Sequence, residues 1–148
     1  MNTAAVCTSF KVDLLNGIHA FGTTVTRAGT TADSFKAALY LASGSLGAAT
    51  TAYSTTSEVS GTGYTAGGNT LAVSVVPVSS GTTAYLSFTN SSWSTATITA
   101  RGAMIYNSSQ GNKCVAVLDF GADKVSTAGT FTIVFPTAAA GTAIIQIA

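Results

Sequence analysis

The sequence predicts an all-β protein, an antiparallel β-sandwich of eight or nine strands, on three observations. Short runs rich in Thr, Val, Ile and aromatic residues alternate apolar with polar positions, the period-two signature of a half-buried strand. The 15 glycines fall mainly between those runs, where turns need them. No segment sustains a convincing long helix.

Taken in order, residues 9–15 alternate Phe10, Val12 and Leu14 against Ser9, Lys11 and Asp13. They predict a strand that ends at an Asn16-Gly17 turn. Residues 18–31 read as an extended connection with room for a short strand. Asp33 or Ser34 suits a helix cap, and FKAALYLA contains good helix formers. The same eight residues, 35–42, also alternate Phe35, Ala37, Leu39 and Leu41 against Lys36, Ala38, Tyr40 and Ala42. Ended by Ser43-Gly44, they suit a strand better. Residues 49–59 are polar and Thr-rich, with one exposed strand expected around Tyr53. Residues 60–69, SGTGYTAGGN, read as a flexible surface loop centred on Tyr64. Residues 71–78 predict a strand that Pro77 confines to an edge or a strand end. Ser79-Ser80-Gly81 turns the chain into a short strand at 85–88, and residues 90–94 carry the only tryptophan, Trp93. Residues 130–135, stopped by Pro136, are expected to pair with 142–147 across 137–141. Without a fixed-period repeat, these strands suit a jelly-roll-like sandwich better than a solenoid or propeller.

The clearest element is a hairpin over residues 95–123. Ile98, Ala100, Gly102, Met104 and Tyr106 alternate with Thr97, Thr99, Arg101, Ala103 and Ile105. The turn-forming residues 107–112 follow, and then a strand from Lys113 to Phe120 with Cys114, Ala116, Leu118 and Phe120 on one face. With Tyr106 opposite Cys114, Met104 meets Ala116, Gly102 meets Leu118, and Arg101 meets Asp119 as an ion pair.

At 148 residues the chain reads as one domain, 1–148, with residues 1–8 as an extended N-terminal arm that orders on docking. Charged residues are only 7% and the net charge is +1, so no basic field draws in nucleic acid or an anionic membrane. A surface of Ser, Thr, Asn, Gly and Ala is poorly protected against association. It suits either a protein covered in an assembly or a stable, uncharged secreted one. No apolar run approaches the ~18 residues of a spanning helix, and MNTAAVCTSFKVDLLNG lacks the features of a signal peptide. Synthesis in the cytoplasm is therefore expected; Cys7 and Cys114 could pair, but that compartment argues for free thiols, with Cys114 buried.

No catalytic constellation stands out. The single histidine, His19, has Asp13 and Asp33 as the nearest acids in sequence and reads as a surface or turn residue. One His and two separated Cys give no zinc spacing. GTGYTAGGN lacks the GK[ST] ending of a phosphate-binding loop. Asn90-Ser-Ser and Asn107-Ser-Ser match weak glycosylation acceptors. Trp93 reads as core or interface packing, with a sugar platform as the other reading. No enzyme and no cofactor are expected.

SFKVDLLNGIHAFG, SFKAALYLASGSLGAATTAYSTTSEVSGTGYTAGG, SWSTATITARGAMIYN and VAVLDFGADK occur in that order. Together they resemble small virion proteins of tailed bacteriophages, in particular capsid cement, or decoration, proteins. The resemblance covers most of the chain and brings no catalytic motif. It implies an all-β protein on the capsid exterior of the virion, made in the host cytoplasm, acting as a homodimer or homotrimer. Its partner would be the major capsid protein, whose subunits it would bridge. Candidate contacts are Phe10 at the end of the arm, the cations Arg27 and Lys36, and the aromatics Tyr64 and Trp93. The alternative is a head-fibre or tail β-sandwich that binds a host receptor or glycan, which Trp93 and Tyr64 together on an exposed surface would favour.

Overall fold

The computed structural model describes residues 2–7, 9, 10, 14, 17–22 and 31–148. Its strands are β1 (Ala5–Val6), β2 (Phe35–Tyr40), β3 (Asn69–Leu71), β4 (Val73–Ser80), β5 (Thr83–Phe88), β6 (Ser91–Asn107), β7 (Lys113–Ile133) and β8 (Ile145–Ile147). They form an antiparallel five-stranded sheet, β1-β7-β6-β2-β3, and an antiparallel three-stranded sheet, β4-β5-β8. The all-β sandwich expected from the alternation is the fold that forms.

The β6–β7 hairpin is its spine. Gly111 and Asn112 both take positive φ at the tip, 62° and 57°, the backbone a tight hairpin turn requires. Tyr106 does pair with Cys114, but the next pairs are Ile105 with Ala116 and Met104 with Val117. Val115 is the extra residue of a β-bulge, and the expected register slips by one beyond it. Cys114, Val115, Ala116 and Val117 are all buried, as are residues 102–107 of β6 opposite them, because both faces of the sheet are covered here, where a half-exposed sheet would bury every second residue. Asp119 therefore faces Gly102, not Arg101. The ion pair forms on the diagonal: Arg101 Nε lies 3.3 Å from Asp119 Oδ1, and its Nη1 lies 3.9 Å from Asp123 Oδ1. A second irregularity lies between Asp119 and Lys124, where residues 120–123, Asp123 among them, stand opposite Arg101 alone. The Gly121 amide, 3.0 Å from Asp119 Oδ1, and then Arg101 hold the Asp119 carboxyl below its ordinary value.

The chain changes sheets three times, between β3 and β4, between β5 and β6, and between β7 and β8, and the first two crossings are neighbours. The expected strand at 71–78 is cut at Ala72, so that β3 ends in the large sheet and β4 begins in the small one. The return, between β5 and β6, passes Thr89, whose amide donates to the Ala72 carbonyl at 2.9 Å. Pro77 lies on β4, an edge strand with a register shift between Val75 and Val78, which is where a residue without an N–H is tolerated. Between the sheets, Phe35 of β2 stacks on Phe21 at 4.3 Å and reaches Phe88 of β5 at 5.9 Å, and Phe88 meets Phe135 at 6.0 Å. Each such buried side chain contributes roughly 1.5–3 kcal/mol.

Several expectations need correcting. Ser9, Phe10 and Leu14 are helical, not part of a strand; the other residues of 9–15 lie outside the described set. Residues 49–59 make only isolated bridges, Ala52 with Lys113 and Glu58 with Tyr40. Residues 130–133 continue β7 and pair with β6, so β8 pairs with β5 instead, Ile147 opposite Ala84. Residues 2–7 are docked, not a free arm: Asn2 is buried, the Thr3 amide donates to Leu46, and β1 pairs with Ala116 and Val117.

Candidate functional site

Two polar clusters tie connecting segments to the spine. In the first, Glu58 accepts from Tyr53 Oη through Oε2 at 2.7 Å, and from Tyr64 Oη and the Gly67 amide through Oε1, both at 2.7 Å. Tyr64 Oη also accepts from the Leu39 amide at 3.0 Å, and Tyr106 Oη donates to the Gly67 carbonyl at 2.7 Å. Burial pushes the Tyr53 and Tyr64 hydroxyls well above the ordinary tyrosine value, and the Glu58 carboxylate adds to the rise by resisting a second negative charge. The glycine-rich segment 60–69 is thus strapped down over β2 and β6. Its composition has a steric cause: Gly68 takes φ +67° where an added β-carbon would overlap the Ala37 carbonyl, and Gly63 takes φ +79° where one would strike Ala96. A side chain at either position would strike backbone.

In the second cluster Asn107, fully buried at the end of β6, donates to Asp33 Oδ2 at 2.7 Å, and its Nδ2 lies 3.0 Å from His19 Nδ1. Its Oδ1 accepts from the Ser109 amide at 3.0 Å, which fixes the amide orientation and makes His19 Nδ1 an acceptor. Asp33 further accepts from the Ala20 amide at 2.9 Å and from Gln110 Nε2 at 3.0 Å. His19 is buried among Phe10, Phe21 and Phe35, not exposed as expected. The Ser108 and Ser109 hydroxyls bond the Ser34 backbone. Both clusters hold segments in place with polar atoms already engaged by neighbours.

The most exposed large apolar side chains, among the described residues, lie at the outer edge of β7 and just beyond it. Lys113 is bridged by Ala52, and Ala116 and Val117 are covered by β1. From Leu118 to Ile133 no strand lies on that edge among the described residues. Val125 is 69% exposed and Val134, just beyond the strand, 72%. Beside them an open groove of about 430 Å³ is lined by Phe120, Lys124, Val125, Phe131, Ile133 and Val134, among others. A row of rings backs it, Tyr64 to Trp93 at 5.9 Å, Trp93 to Phe131 at 6.1 Å, and Phe131 to Phe120 at 6.2 Å.

The structure does not expose the described sequence-derived contact residues at this edge; Tyr64 and Trp93 stand only in the ring row behind it. Phe10 is core, 1% exposed, and Trp93 is 4% exposed within the ring row. Tyr64 is half-buried with its hydroxyl held by Glu58 and Leu39, because desolvating a phenol requires such partners. Lys36 is half-buried on β2 between Thr70 and Tyr106, and Arg27 lies outside the described residues. Sequence reasoning missed Glu58 and Asn107. Glu58 had one signal, a lone acid in a neutral Ser/Thr stretch, whereas Asn107 was hidden in a string of turn-forming residues.

Among the described residues, no three His, Cys, Asp or Glu side chains converge as a metal site. No helix there is long and apolar enough to cross a membrane. No family model, curated protein or solved structure matches the chain.

Proposed function

We propose that this is a structural virion protein that binds the outside of a tailed-bacteriophage capsid and bridges major capsid protein subunits. The ordered resemblance along the chain supports the reading, as does the low charge. The observation that carries it is the β7 edge, on which no strand lies among the described residues, with its groove of mixed apolar and polar lining. An unpaired edge binds by main-chain hydrogen bonds and needs few charges. Repetition over a symmetric shell multiplies weak single contacts. In this reading the protein is not an enzyme, and its polar clusters serve rigidity. The receptor- or glycan-binding alternative loses support, because Trp93 is packed in the sheet instead of lying open as a stacking platform.

Co-sedimentation of the purified protein with matching phage heads deleted of it tests the proposal. Saturable binding at a fixed copy number, with heads that withstand hotter treatment, is the expected result. Failure to bind intact heads overturns it.

A further inference from the structure

We propose that Cys7 and Cys114 form a disulfide that fastens β1 to β7. Their Sγ atoms lie 2.6 Å apart, and both residues are 0% exposed. The backbone holds them there independently of the sulfurs. Ala5 and Val6 pair with Val117 and Ala116, the Cys7 amide donates to the Val115 carbonyl at 3.2 Å, and the Cys114 amide donates to Thr51 at 2.9 Å. A disulfide needs an S–S separation of about 2.0 Å, so a small adjustment of two side chains closes the bond. A shared metal does not explain the pair, because no third His, Cys, Asp or Glu joins it among the described residues.

Closing the bond removes two protons and two electrons from the thiols. A small-molecule disulfide such as oxidised glutathione accepts them and is released as two thiols, through a mixed disulfide on one cysteine that the other displaces. With both sulfurs buried, the first exchange requires residues 2–7 to lift from β7. β1 pairs through only two residues, which makes it the element that opens at least cost. Reducing cytoplasm keeps the pair as thiols, and oxidising surroundings outside the cell close it. The closed bond spans 107 positions of the chain, the long-loop case in which a cross-link restricts the unfolded state most. This inference is independent of the capsid reading, and its test uses no capsid.

The wild-type protein would be incubated with oxidised or reduced glutathione, denatured with an alkylating agent, and weighed intact by mass spectrometry. After oxidation the expected protein takes up no alkyl group, has lost two hydrogens, and yields a peptide joining Cys7 to Cys114. It melts about 10 °C above the reduced form, a difference that Cys7→Ser and Cys114→Ser abolish. Two alkylated thiols, stable glutathione adducts or an intermolecular dimer would each overturn the proposal. The mass measurement decides even if the serine variants fail to fold.

Discussion

Glu58 is the acceptor on which two tyrosines and the Gly67 amide converge, so its chemistry tests the strap directly. Glu58→Gln keeps the shape but replaces one acceptor oxygen with a donor, and a loss of about 1–3 kcal/mol in urea unfolding is expected. The pH dependence has a defined sign. Tyr53 and Tyr64 titrate above the ordinary tyrosine value of about 10 when folded. The unfolded chain therefore binds fewer protons once pH exceeds about 10. Their contribution is complete below that pH and is lost as pH rises through the higher folded values. Ultraviolet titration of tyrosinate should show ionisation beginning at lower pH in Glu58→Gln than in the wild type; coincident curves would refute the link. Asn107 serves its cluster in the same way. Asn107→Ala leaves Asp33, His19 and the Ser109 amide each short of a partner, with an expected cost of about 2–3 kcal/mol in the same assay.

The glycine-rich segment shows how an element takes its place for steric reasons. Gly68 combines a positive φ with a position where an added β-carbon would overlap the Ala37 carbonyl, so Gly68→Ala is strained twice and should cost at least about 2 kcal/mol in chemical denaturation. An unchanged midpoint would mean that the strap does not bear on β2. The β7 edge makes the opposite prediction. Val125 and Val134 are 69% and 72% exposed, so Val125→Asp with Val134→Asp should shift stability by no more than about 0.5 kcal/mol each. The same pair should abolish co-sedimentation with capsids, because buried, unpaired carboxylates would then oppose docking. Retained binding would move the contact surface elsewhere.

The whole molecule is one long hairpin onto which shorter segments are fastened. Phe21, Phe35, Phe88 and Phe135 join the two sheets, Glu58 and Asn107 secure the connections, and β1 closes one edge beside the cysteine pair. Such a body suits a role in which the fold is an inert spacer and the open edge does the binding. If it does brace a shell, added protein should raise the temperature at which deleted heads release their DNA. Binding with no change in that temperature would leave decoration without reinforcement.

The sequence by itself determined what depends on local periodicity: the all-β class, the strand at β2, the edge position of Pro77, the hairpin with Tyr106 opposite Cys114, and the partnership of Arg101 with Asp119. Only the tertiary structure decided what depends on competition between distant segments. The bulge at Val115 shifts the register because alternation does not show which residue is extra. β8 joins β5 because β6 already occupies residues 131–133. Tyr64 and His19 turn inward because the groups that receive them, Glu58 and Leu39 for one and Asn107 for the other, come together only when the chain folds. Alternation records which face a residue prefers; which neighbour covers that face is settled by the packing of the whole chain.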